Sequence, residues 1–199
     1  MAKQIILASG SEIRRQLLEN AGVPVDVRPV KVDESAIRAA MIADEARPRD
    51  IADQLAETKA KRASRKAPDA IVIGCDQVLA VDRQILGKPE SRAAARAQLD
   101  LLNGHTHQLL SAAVIYETGQ PVWRHVGGVT LHMRQASAGY LDAYVDRNWA
   151  SIRHSVGAYK LEEEGVRLFH RIDGDYFNVL GLPLLDLLAY LTLRGLIPG

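Results

Sequence analysis

Leu7-Ala8-Ser9-Gly10-Ser11-Glu12-Ile13-Arg14-Arg15 is the stretch on which the reading of this chain turns. It follows the apolar run Ile5-Ile6-Leu7, which reads as a buried strand, and precedes Gln16-Leu17-Leu18, which reads as a helix. Small residues therefore occupy a strand-to-helix turn, with two arginines in the first helical turns. Unpaired N–H groups at a helix start attract anions, and arginine adds bidentate hydrogen bonds to phosphate oxygens. A site for a phosphorylated ligand is one reading of this stretch. A capped surface helix with two solvated arginines is the other.

The rest of the first half also alternates. Lys3 to Ala8 is expected as a strand, and Ser11 to Ala21 as a helix capped by Ser11 and stopped at Gly22. Val25 to Val32 reads as a second strand. Arg49 to Lys66 reads as a helix with Ile51, Leu55 and Thr58 on one face. Ala70 to Cys75 is a short buried-strand run, and Val78–Asp82 with Gln84–Leu86 forms a hairpin. Ser91 caps a helix to about Leu102, ended by Asn103-Gly104. The second half is richer in strands: His107 to Tyr116 and Val122 to Arg134 pair around Thr118-Gly119-Gln120-Pro121. Ser137 caps a helix through Val145, Arg167 to Ile172 is a strand, and Leu184 to Leu193 is a closing helix. These elements predict an α/β (mixed α+β) architecture, a long twisted mixed sheet flanked by helices. No repeat or linker divides the chain, so residues 1–199 are expected to form a single domain.

Bulk properties narrow the function. The 199 residues carry 25 Lys plus Arg against 24 Asp plus Glu, and 47% are hydrophobic. A substantial core is expected, and broad electrostatic binding to nucleic acid or an anionic membrane is not. Lys59-Ala60-Lys61-Arg62 and Arg65-Lys66 read as a solvated helix face. The one cysteine, Cys75, precludes an internal disulfide and fits a reducing cytoplasm. The opening apolar run is too short for a signal peptide, and Leu182 to Leu193 is too short to span a bilayer. His105 and His107 share a face if in a strand, with nothing nearby to complete a metal shell. Walker, dinucleotide and serine-elbow motifs are absent.

Several charged residues sit beside apolar runs. Asp76 directly follows Ala70–Cys75, where a strand's carboxyl end is expected. An aspartate there binds a metal, takes a proton from water, or simply caps a turn. Val32-Asp33-Glu34-Ser35 brings two carboxylates to a second expected strand end, suited to Mg²⁺ or to a helix cap. Lys59 ends the face begun by Ile51 and Leu55, and Lys88 sits in the constrained turn Leu86-Gly87-Lys88-Pro89. Each has a bland alternative as a surface residue. Together they match the needs of phosphoanhydride hydrolysis: cations to neutralise polyphosphate, carboxylates to hold a metal and activate water.

With these residues in view, the chain resembles the Maf family of nucleoside triphosphate pyrophosphatases. The matching segments are Leu7–Ser11 with Arg14-Arg15, Val32-Asp33-Glu34, Glu57-Thr58-Lys59-Ala60, Gly74-Cys75-Asp76-Gln77, Gly87-Lys88-Pro89, Gly104-His105-Thr106-His107 and Gly181-Leu182-Pro183-Leu184. They run in order along nearly the whole chain. The resemblance implies a hydrolase acting on acid anhydrides, releasing a nucleoside monophosphate and pyrophosphate with a divalent metal, Mg²⁺ or Mn²⁺. It implies Asp76 as proton acceptor, with Lys59 and Lys88 catalytic, and Glu34 and Asp76 at the metal. Ser9, Arg14 and Arg15 would hold the polyphosphate. It further implies a two-lobed fold with a cleft, and a homodimer.

The resemblance also bears on the base. Gln77 and Glu162, in Gly157-Ala158-Tyr159-Lys160-Leu161-Glu162, resemble the branch acting on 7-methyl-GTP rather than the branch acting on dTTP and UTP, which remains the alternative. A carboxylate at Glu162 would accept from guanine N1–H and its amino group and favour an alkylated, positive base. Ile13, at a position expected to meet substrate, matches neither the tryptophan of the first branch nor the arginine of the second. Cys75 replaces the usual small residue before the aspartate. A nucleotide-binding regulator of cell division without turnover is the third reading.

Overall fold

The computed structural model describes residues 3–82 and 84–199. The strands are β1 (Ile5–Leu7), β2 (Asp26–Val27), β3 (Ile71–Val81), β4 (Gln84–Leu86), β5 (Thr106–Glu117), β6 (Gln120–Met133) and β7 (Phe169–Asp173). The helices are α1 (Glu12–Asn20), α2 (Glu34–Ala43), α3 (Pro48–Ser64), α4 (Arg92–Leu102), α5 (Ala138–Ile152), α6 (Tyr176–Val179) and α7 (Leu184–Leu193). One mixed sheet runs β2-β1-β3-β5-β6-β7, with β4 paired to β3. The expected α/β class is therefore present.

Contacts group the chain into two compact units. The first comprises residues 1–77, 111–127 and 181–199, and the second residues 78–110 and 128–180. Strands β3, β5 and β6 each pass from one unit into the other, at 77/78, 110/111 and 127/128.

In the first unit, β1 is parallel to both β2 and β3, with Ile5 opposite Ile71 and Leu7 opposite Ile73. Such strands are buried on both faces and read as unbroken apolar runs, as Ile5-Ile6-Leu7 and Ile71-Val72-Ile73 do. Helix α3 buries Ile51, Ala52, Leu55, Ala56, Lys59 and Ala60 along one stripe. It lies very close to β3 because residue 74 has no side chain. A Cβ there would strike the carbonyl oxygen of Ala56 and approach the Ala60 nitrogen to 2.5 Å.

The second unit has its own core around Leu79, Leu99, Leu109, Leu131, Leu141 and Tyr144. His107 is 2% exposed within it, with Nε2 at 2.8 Å from the Tyr159 hydroxyl and its ring against Tyr159 and Phe169. Burial, and secondarily the nearby His132, push its pKa down to about 4. His105 precedes β5 and is exposed, so the two histidines do not share a strand face.

Several sequence expectations need correction. The strand expected over Val25–Val32 is only Asp26–Val27. Of the two readings of Asp33, a strand end or a helix cap, the cap is present: Asp33 caps α2 by accepting from the Ala36 N–H. Ser11 sits at the N-cap of α1 without a side-chain capping bond. Strand β3 continues five residues past Asp76. The hairpins at Asp82 and at Thr118-Gly119 are as expected; φ is 49° at Thr118 and 77° at Gly119, which suits a tight two-residue turn. The helices after Ser91 and Ser137 begin as expected, each with its serine hydroxyl accepting from the first turn, and α7 matches its expected bounds.

Two measurements test this packing. Gly74→Ala should cost about 2 kcal/mol in urea unfolding, because the added methyl must push α3 off β3; an unchanged midpoint refutes the close approach. For His107, the unfolded chain binds its proton below pH 6.5 while the folded chain resists until about pH 4. Stability should therefore fall by about 3 kcal/mol as pH drops through that window. His107→Phe should flatten the decline, and an identical pH profile would remove His107 as its source.

Candidate active site

The site is built on the parallel pairing of β1 and β3. Because Leu7 lies opposite Ile73 and the Ala8 N–H donates to the Ile73 carbonyl at 2.8 Å, the chain leaves β1 beside Cys75 and Asp76. Ser9 is 7% exposed there, and its hydroxyl accepts from the Ser11 N–H at 3.3 Å and from Arg14 Nη1 at 3.2 Å.

Arg14 is a tether as much as a ligand. Its Nε donates to the Gly181 carbonyl at 2.7 Å, and its Nη1 also donates to the Cys75 carbonyl at 3.2 Å. One guanidinium thus ties the loop after β1, the middle of β3 and the turn before α7. Nη2 makes no protein hydrogen bond among the described residues and is the donor left for an anion. Gly181 has φ 95°, and a Cβ on it would sit 3.1 Å from that same Nη2. Sequence reasoning quoted Gly181 without seeing this role. Its signal was a glycine before Leu-Pro at a helix start, where a positive φ and a bare Cα are both required.

Lys59 projects from the buried stripe of α3, one turn beyond Leu55, and is 8% exposed. Its Nζ lies 2.6 Å from Asp76 Oδ1 and 2.7 Å from Glu34 Oε1. Asp76 is 4% exposed, and its second oxygen, Oδ2, is buried without a hydrogen-bond partner. A buried acceptor left unpaired is costly and uncommon. Glu34, the first residue of α2, is half-buried. Cys75 is fully buried, its thiol pushed up to about 11 chiefly by burial.

Ser9, Arg14, Glu34, Lys59 and Asp76, separated by up to 67 positions, therefore meet in the first unit. Other candidates do not join them there. Arg15 is turned to Glu12 and Glu19, whose hydrogen bonds raise its pKa further; it belongs to the solvated face of α1. Ile13 is half-buried on α1. Gln77 follows Asp76 in an extended strand, so its side chain takes the opposite face of the sheet. Its amide donates to the Ser111 hydroxyl at 3.1 Å. Lys88 and Glu162 are exposed residues of the second unit, in the turn after β4 and in the turn at 161–163.

A hard divalent cation is compatible with this donor set. Mg²⁺ is commonly held by one or two carboxylates, with phosphate and water completing its shell. Asp76 offers an unpaired buried oxygen and Glu34 a second carboxylate on the same ammonium. Among the described residues no group of three or more His, Cys, Asp or Glu is placed to hold a metal, so a site made wholly of protein ligands is not what these residues build.

Comparison with known proteins agrees with the residue pattern. The profile of the family described as Maf-like protein matches residues 4–193. The chain is 61% identical over 197 residues to a nucleoside triphosphate pyrophosphatase of Ruegeria pomeroyi, covering 99% of each. It is 60% identical over 198 residues to a protein of the same name from Roseobacter denitrificans, covering 100% of each. It is 45% identical over 199 residues to a 7-methyl-GTP pyrophosphatase of Mesorhizobium japonicum, again over all of both chains.

The Lys59 bridge predicts a distinctive stability pattern. Lys59→Met strands two carboxylates, one deeply buried, and should cost about 3 kcal/mol. Pairing it with Asp76→Leu should recover most of that loss, since an apolar pair replaces the buried ions. Urea denaturation of Lys59→Met, Asp76→Leu and the double variant measures this; simple addition of the two single losses would show that the pair is not coupled.

Proposed function

Since the chain belongs to the Maf family, we propose that it is a nucleoside triphosphate pyrophosphatase that uses the Ser9–Arg14–Lys59–Asp76 cluster to bind polyphosphate and activate water. The observation that carries this reading is Asp76 itself. One of its oxygens is held by Lys59, while the other is buried, unbonded and aimed at no protein donor. An acceptor in that state is ready to take a proton from water as the water attacks the phosphorus, with Lys59 fixing the carboxylate's orientation. The products are the nucleoside monophosphate and pyrophosphate.

Each neighbour has a distinct task. Arg14 Nη2 and the first-turn N–H groups of α1 contact phosphate oxygens, and the Ser9 hydroxyl keeps the guanidinium in place. Glu34 and Asp76 hold a divalent cation, which supplies charge neutralisation of the phosphates when bound. Lys88 adds a further phosphate contact, a role assigned on its Gly-Lys-Pro turn alone. Arg15, paired with Glu12 and Glu19 on the surface of α1, is a further proposed polyphosphate contact.

For the base, 7-methyl-GTP is the proposed substrate, supported by the Gln77 and Glu162 residues and by the Mesorhizobium relative's name. The more similar Ruegeria and Roseobacter relatives carry the general name, so dTTP and UTP stay in the test. Gln77 is at most indirect in this, given its bond to Ser111. A homodimer and a cytoplasmic setting complete the proposal, the latter resting on the single buried thiol of Cys75; no helix among the described residues is long and apolar enough to cross a membrane.

The decisive experiment is a nucleotide panel with Mg²⁺ or Mn²⁺, including 7-methyl-GTP, dTTP and UTP, with pyrophosphate as the readout. Turnover of at least one is expected, lost on chelation with EDTA. Asp76→Asn should lower kcat at least a thousandfold, as expected when a proton acceptor is removed. Tight nucleotide binding without product would instead favour a regulator.

A further inference from the structure

Away from the Asp76 cluster, the first unit has a second concentration of positive charge. A cavity of about 130 Å³ is lined by Arg28, Pro29, Val30, Ala63, Lys66 and Ala67. The two cations come from different elements: Arg28 just beyond β2, and Lys66 beyond the end of α3. No carboxylate is among the lining residues.

The surrounding charge is only partly compensated. Lys3, Arg15, Arg28, Arg47, Arg124 and Arg194 in this unit each have a carboxylate partner. Lys31, Lys61, Arg62, Arg65 and Lys66 are exposed and have none among the described residues. The C-terminal dipole of α3 accounts for Lys61 and Arg62 in its last turn. It does not account for Arg28, which arrives from the other wall and is shared only with Asp26 at 2.6 Å.

We propose that this cavity binds a small phosphate-type oxyanion at a site separate from Asp76. Its volume is sufficient for a tetrahedral oxyanion. Lys66 and Arg28, the latter also paired with Asp26, converge on a cavity with no carboxylate in its lining, which favours an anion. Nucleic acid suits it less well: no aromatic ring lines the cavity for base stacking. Pro29 also lies 3.7 Å from the Cβ position of Gly10, so the cavity shares a wall with the loop carrying Ser9.

Backbone amide shifts in ¹H–¹⁵N spectra separate the two sites within one titration. Inorganic phosphate, and in a second arm pyrophosphate, should move the Val30, Lys66 and Ala67 amides saturably, with binding weakened by added salt. Movement by phosphate identifies the free single anion as sufficient; movement by pyrophosphate alone identifies the reaction's own product. In the Arg28→Gln/Lys66→Gln variant, binding read at these amides should weaken about tenfold or more, while pyrophosphate release from nucleotide keeps its rate. Stationary amides in both arms, shifts unchanged in the double variant, or tighter binding of a mixed-sequence oligonucleotide at the same amides would each overturn the proposal.

Discussion

A single ammonium group stands between two carboxylates in a nearly dry part of the first unit, and the local architecture is arranged around it. Lys59 Nζ touches Asp76 on β3 and Glu34 on α2 while itself belonging to α3. Three elements are thereby linked through one charge. Burying a lysine and an aspartate is expensive unless each meets the other at close range, and these two do so at 2.6 Å. The absence of a side chain at residue 74 makes that range attainable, since any Cβ there would push α3 away from the strand.

Arg14 performs the corresponding task for the loop after β1. A loop of serine and glycine has little to hold it in one conformation, and flexible phosphate loops lose affinity to ordering entropy. Here the guanidinium bonds the Ser9 hydroxyl, the Cys75 carbonyl and the Gly181 carbonyl together. The same residue that offers a donor to an anion also fixes the surface receiving it. Arg14→Lys would keep the charge and lose the planar fork, so the exchange is not conservative at this position.

The buried elements were the most legible in the sequence. Parallel strands and α7 announce themselves by unbroken or periodic apolar residues, and Ser91 and Ser137 by their capping chemistry. Helix α2 was legible only through its cap at Asp33, although Ile37, Ala40 and Met41 recur along it at helical spacing; none of its residues is buried. Asp76 was placed at a strand end because a carboxylate in a buried strand interior violates ordinary patterning. The strand continues through it because Lys59 compensates the charge, a tertiary fact that spacing along the chain cannot express. Arg15 and Gln77 lie outside the Lys59–Asp76 cluster for simpler reasons. Adjacent helical residues face about 100° apart, and adjacent strand residues face opposite ways, so neither neighbour of a site residue inherits its place.

Formal charge explains why the cluster is incomplete as a polyphosphate receptor. Lys59 and Arg14 contribute two positive charges, and Asp76 and Glu34 two negative ones, so the four side chains sum to zero. A triphosphate brings several negative charges into this balanced set, and the carboxylates alone would repel it. Extra positive charge must arrive with the substrate or be supplied from elsewhere in the chain. On the proposed function, a divalent cation held by Glu34 and Asp76 would meet that need by supplying the missing positive charge. Lys59 lies between the two acids, so the protein supplies its own cation to keep them in register.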